Sequence, residues 1–196
     1  MQSVTVAPIV EGHGEVSAAR ILLRRIAAER LGLQADIAQP FRLDSAKMRK
    51  SDELSRAIRF QAERVQGTGG VLILRDGDDS DVTCPVALAE ELAPAPGEAS
   101  VRVEVVIACR EYEAWFLAAL ESLRAHSAVQ DDAVAPDDPE AFRDAKSRLQ
   151  GFMTETYKET LHQAKFSALI DLEKAEKRSR SFRRMVHAVQ LLSEAR

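Results

Sequence analysis

The chain has 196 residues, enough for one α/β unit with a substantial core and short for two independent ones. Hydrophobic residues make up 45% and charged residues 30%, which excludes a disordered chain, and a net charge of −4 argues against coating nucleic acid by bulk electrostatics. No apolar run reaches the roughly 18 residues of a membrane helix and no basic leader opens the chain, so the expectation is a cytosolic (cytoplasmic) protein without membrane contact.

Ser3 to Val10 is rich in β-branched residues and ends at Glu11-Gly12-His13-Gly14, which predicts a strand followed by a loop. From Glu15, the positions Ala18, Ile21, Leu22, Ile26 and Leu31 recur at helical spacing, and Gly32 follows as a C-cap. Ala35 to Leu43 reads as a second strand, placed at an edge because it contains Pro40. Ser51 to Val65 predicts a helix with Ser51 as N-cap and Leu54, Ala57, Ile58 and Ala62 on one face. Val71 to Leu74 is a continuous apolar run, as in a strand covered on both faces. After an acidic stretch from Asp76 to Asp81 come a helix over Pro85 to Leu92, a strand over Val101 to Ala108 and a helix over Glu111 to Leu123, with Trp115 and Phe116 assigned to the core.

Alternating strand and helix predicts a four-stranded, mostly parallel sheet between helices, of Rossmann-like α/β class, over residues 1–125. Residues 126–196 begin with an acidic, proline-bearing stretch to Pro139 that reads as a surface loop or mobile connection. They continue as a helical extension packed on the first unit. Cys84 and Cys109 share no CxxC spacing and have no adjacent histidine, so both are expected as buried thiols.

Ligands of open parallel sheets bind beyond the C-terminal strand ends, and three such ends carry acid: Glu11 and Glu15, then Asp76, Asp78 and Asp79, then Glu111 and Glu113. Asp-Gly-Asp alone reads equally well as a turn. Carboxylates gathered at one edge repel unless a cation intervenes, and oxygen ligands favour Mg²⁺ or Mn²⁺. A dinucleotide site is disfavoured because Ser17 stands where a third glycine would be, and no GxxxxGK[ST] or nucleophile elbow occurs.

Ile9-Val10-Glu11-Gly12 with Glu15 downstream, then Leu74-Arg75-Asp76-Gly77-Asp78, resemble the Toprim fold of topoisomerases, bacterial primases and OLD nucleases. Ile107 to Leu117, Tyr157-Lys158 and Ser179 to Arg183 are similar to a bacterial Toprim-like family of unknown function associated with ATPase partners in defence gene clusters. The resemblance implies Glu11, Asp76 and Asp78 as catalytic residues, and Glu11, Glu15, Asp76, Asp78 and Glu111 as ligands of Mg²⁺ or Mn²⁺. Glu113 stands between ligand and helix cap. His13, Lys158, Arg178, Arg180 and Arg183 are the candidate contacts to a nucleic-acid substrate, with solvated helix faces as the alternative for the arginines.

The expected function is metal-dependent phosphodiester processing by a Toprim-type nuclease working with a partner ATPase in bacterial defence. A non-catalytic partner-binding subunit and a small-molecule phosphohydrolase remain alternatives, and the oligomeric state is open.

Overall fold

A computed structural model describes residues 4–79 and 84–195; Ser3, at the start of the first predicted strand, and the far end of the acidic stretch at Asp81 lie outside them. The strands are β1 Val4–Val10, β2 Ala35–Ile37, β3 Phe41–Arg42, β4 Gly69–Asp76 and β5 Arg102–Ala108. The helices are α1 Glu15–Arg25, α2 Ser45–Met48, α3 Ser51–Ala62, α4 Pro85–Leu92, α5 Glu113–Ala118, α6 Leu120–Leu123, α7 Ala145–Gln150, α8 Glu159–Leu169, α9 Leu172–Arg178 and α10 Arg180–Ser193. A π-helical turn, Ile26–Arg30, extends α1 up to the left-handed Gly32.

All pairings are parallel, in the order β2-β1-β4-β5, with β3 also on β1. The sheet is therefore five-stranded rather than four-stranded. Proline donates no ladder bond, and the predicted second strand divides around Pro40 into two short pieces that pair successively along one edge of β1. β4 runs two residues beyond its apolar core, so Arg75 and Asp76 are paired strand residues opposite Ile107 and Ala108.

Alternation along the strands sorts the core into two layers. Val6, Val10, Leu72, Leu74 and Val106 face α1, α5, α8 and α10, whereas Ala7, Ile9, Val71, Ile73 and Ile107 face α3 and α4. Asp76 lies on the first face and Arg75 on the second. Every residue of β1 and β4 is buried, which is why both read as near-continuous apolar runs.

The C-terminal helices pack directly on this frame. Phe182, Met185, Val189 and Leu192 of α10 join the core beside Trp115 and Phe116, and Phe182 and Trp115 meet edge to face at 5.5 Å. Ser179 caps α10, its hydroxyl accepting from Phe182 N at 3.0 Å. The connection over 126–139 carries buried Ala128, Val129 and Ala133, and Val129 bridges Met153 antiparallel, so it is packed against the body. Two further expectations change. Cys84 is exposed and Cys109 half-buried, and the Glu111 to Leu123 helix breaks at Ala119 (φ −129°, ψ 34°) into α5 and α6. Among the described residues no helix is long and apolar enough to cross a membrane.

Candidate functional site

β1 and β4 are central neighbours, and the sheet is wound outward from them in opposite directions, so the loops after them part and leave a crevice. Glu11 emerges from β1 into this crevice, and Asp76 ends β4 there. Asp76 N donates to Glu11 Oε2 at 3.2 Å, and Glu11 N donates to Glu15 Oε2 at 3.1 Å. Tyr112 N donates to Asp76 Oδ1 at 2.8 Å. Each carboxylate is thus anchored on backbone near another acidic residue.

Glu113, the first residue of α5, completes the group from the third strand end and is wholly buried. Its Oε1 accepts from the Tyr157 hydroxyl at 2.6 Å and from Gln163 Nε2 at 2.8 Å, while its Oε2 is buried without a partner among the described residues. Lys146, on α7, lies across from it and reaches Glu159 Oε1 at 2.8 Å. A pocket of about 440 Å³ lined by Lys146, Gln150, Tyr157 and Glu159 opens beside this group.

Close backbone approaches hold the loops together. Gly77 N donates to the carbonyls of Ala108 and Arg110 at 3.1 and 2.9 Å, and a Cβ on Gly77 would stand 2.9 Å from Ile107 Cγ2. Arg110 itself sits at φ 73°, a strained backbone for a side chain, where β5 turns toward Glu111. At Gly14 a Cβ would fall 2.1 Å from Gln163 Oε1, so the loop before α1 tolerates no side chain beneath α8.

Burial, reinforced by the charge of Glu11, raises the Glu15 carboxyl to about 8. Burial and the charges of Glu15 and Glu113 hold Asp76 well above the usual carboxylate range, against the pull of Lys146. Glu113 is raised by burial despite Lys146 and its hydrogen bonds from Tyr157 and Gln163. Glu11 is raised by burial against a Ser45 hydrogen bond and the Arg75 guanidinium. Burial opposes the charge on Lys146, but Glu113, Glu159 and Asp76 prevail and raise its pKa. Four acids thus share one desolvated crevice with too little positive charge.

Among the described residues no group of three or more carboxylate, imidazole or thiol side chains is placed to hold a metal ion. Magnesium is ordinarily held by one or two carboxylates, with water and substrate oxygens completing the octahedron. The unused Oε2 of Glu113 and the mutual repulsion around Asp76 fit a hard divalent ion held in that sparse manner. They do not fit a closed structural site.

Of the residues singled out from sequence, Glu11, Glu15 and Asp76 come together. Asp78 is exposed at the rim, where its charge still reaches Glu11. Glu111 is buried but occupied, accepting from Lys146 N at 2.9 Å with Lys146 Nζ at 3.6 Å. His13 and Lys158 are exposed. Arg178 donates to Glu121 and to the Ala118 carbonyl, and Arg183 donates to the carbonyls of Glu176 and Lys177, so both guanidinium groups are engaged by the fold. Arg180 is 85% exposed and only 3.9 Å from Glu140. Lys146 and Gln163 escape sequence reasoning because they lie in no motif, and Tyr157, singled out there beside Lys158, is found as a donor to Glu113.

A family model described as a domain of unknown function (DUF4276) matches residues 10–190. The chain belongs to the DUF4276 family. That match takes in all three acidic strand ends and also α7, α8 and most of α10, so the DUF4276 unit includes the helices that supply Lys146 and Gln163 and the connection between them that carries Tyr157. No curated protein and no solved structure matches this DUF4276 chain.

Proposed function

We propose that the chain is a Mg²⁺- or Mn²⁺-dependent phosphodiester-processing protein, a Toprim-like nuclease acting on nucleic acid together with a partner ATPase in bacterial defence. The observation that carries this reading is the set of buried, mutually repelling carboxylates of Glu11, Glu15, Asp76 and Glu113 at the switch-point crevice. Asp76 and Glu113 Oε2 are the residues that would hold the ion, with Glu15 beside them. A bound divalent ion supplies positive charge to a phosphate and lowers the pKa of water. Glu11, less buried than the others at its side chain, takes or returns the proton of the attacking water. Lys146 orients the phosphate from the pocket side. Asp78 at the rim meets solvent and substrate.

The deciding experiment measures Mn²⁺-dependent cleavage of plasmid, linear and single-stranded substrates by wild type and Asp76→Asn, with and without the ATPase from the neighbouring gene. Cleavage by wild type and its loss in the variant is expected; equal cleavage by both sinks the catalytic assignment. A non-catalytic, partner-binding subunit is the second reading. It is favoured by the backbone amides that already occupy Glu11, Glu15 and Asp76, and inactivity of both proteins with the partner present would select it.

A further inference from the structure

Among the described residues β5 is the last strand of the sheet, paired to β4 on one side only. An open strand edge presents unpaired amides and carbonyls and must be covered, blunted or used. Its N-terminal half is blunted: Glu104 is gripped by Arg102 at 2.7 Å and by Arg184 at 2.6 Å. The C-terminal half, Val105 to Ala108, carries no charge at all.

A cleft of about 460 Å³ follows this half of the strand. One wall is α4, with Pro85, Val86 and Ala89; the opposite wall is the start of α10, with Arg180 and Arg184; Val105 and Ile107 line it from β5. Because α4 and α10 cover opposite faces of the sheet, the cleft wraps around the edge itself. Val86 is 64% exposed, an apolar side chain left in solvent on the wall. On the facing rim, Arg184 Nη1 is buried without a hydrogen-bond partner among the described residues, and Arg180 extends into solvent 3.9 Å from Glu140, which also lines the cleft.

We propose that this edge is a docking groove for an extended, acidic-flanked segment of a partner protein, which joins the sheet as a sixth strand beside β5. Main-chain bonds to the free edge supply affinity, alternate apolar side chains rest between Val86 and Ile107, and a carboxylate satisfies Arg184 and Arg180. A second copy of this chain is the poorer occupant, because a two-fold axis normal to the sheet, which pairs β5 antiparallel with its copy, would set the same arginine rim against itself. The groove ends at Cys109, one residue before the strained Arg110, and is separate from the acidic crevice. It stands whether or not the chain cleaves a phosphodiester.

The test uses a fluorescent peptide that alternates valine and threonine and ends in a pair of glutamates, titrated by anisotropy into the full chain. Parallel titrations use the same peptide ending in lysines and one with proline at alternate positions, which removes the amide donors. Saturable binding of the acidic peptide is expected, weakened about tenfold or more by lysine or proline. Val86→Glu, at an exposed position, weakens it similarly with unchanged melting temperature, and amide resonances of Val105 and Ile107 shift on binding.

Lack of saturable binding, equal binding of acidic and basic peptides, or shifts confined to other strands overturns the proposal. Light scattering that shows a dimer dissociated by Val86→Glu also overturns it, by giving the edge to a second copy.

Discussion

Among the buried carboxylates of the described residues, two stations run in opposite chemical directions. Glu140 is 8% exposed, yet its carboxyl is held below its ordinary value. Burial opposes the charge, but Oε1 accepts from the hydroxyls of Ser179 and Ser181 at 2.6 and 2.7 Å and from Ser181 N at 2.9 Å. The start of α10 adds a favourable dipole. Glu15, Asp76 and Glu113 are buried as deeply, but they face one another with few donors, and all are raised. Burial alone therefore does not decide what a carboxylate does; the supply of donors does. A donor-rich acid fastens the fold, and a donor-poor group keeps free oxygen for an external cation.

This contrast breaks most visibly in activity. If the donor-poor station is the catalytic one, Asp76→Asn and Glu11→Gln each lower metal-dependent cleavage by about 100- to 10,000-fold, whereas Glu140→Gln in its folded state retains the activity, as initial rates would show. Next comes stability: Glu140→Ala is expected to cost about 3 kcal/mol in urea unfolding, since it strands the donors of Ser179 and Ser181. Glu15→Gln at pH 8 is expected to be neutral or stabilising, because it removes a charge that burial disfavours.

The pH dependence sharpens the same comparison. The folded value of Glu15 lies above its ordinary 4.5, so its contribution is fully present below that pH and is lost as pH rises through about 8. Glu140 is shifted the other way. Its contribution is present above 4.5 and is lost as pH falls through its depressed folded value. Melting temperature should decline on both flanks, with Glu15→Gln flattening the alkaline decline and Glu140→Gln the acidic one. Mn²⁺ should also flatten the alkaline side, in wild type but not in Asp76→Asn. The smallest effect is expected at Arg178→Ala, where loss of a half-exposed ion pair costs under about 1 kcal/mol by the same unfolding measurement.

Much of the frame was legible because strand and helix periods are local. The parallel sheet, the ends of β1 and β4, and the burial of Trp115 and Phe116 all follow from residues within one turn or one strand of each other. Glu11 and Asp76 were legible by topology, since parallel strands must deliver their C-terminal residues to one edge. Glu113 was ambiguous because helix position one suits both a cap and a ligand, and only Tyr157 and Gln163, more than forty residues on, distinguish them. Glu111 looked equivalent to it, but the strained turn at Arg110 directs it to Lys146 instead. The 126–139 segment looked unattached because its buried residues, Ala128, Val129, Ala133 and Pro139, are few, small and without periodicity. Arg178 and Arg183 stood open between substrate contact and a solvated face because the carbonyl and Glu121 acceptors that engage them are not revealed by charge counting.

Gly14 ties the two halves of the sequence into one mechanical linkage. With no room for even a methyl group between this loop and Gln163, an alanine at position 14 would have to part the loop from α8, moving the residue that precedes Glu15 and disturbing the Gln163 amide that holds Glu113.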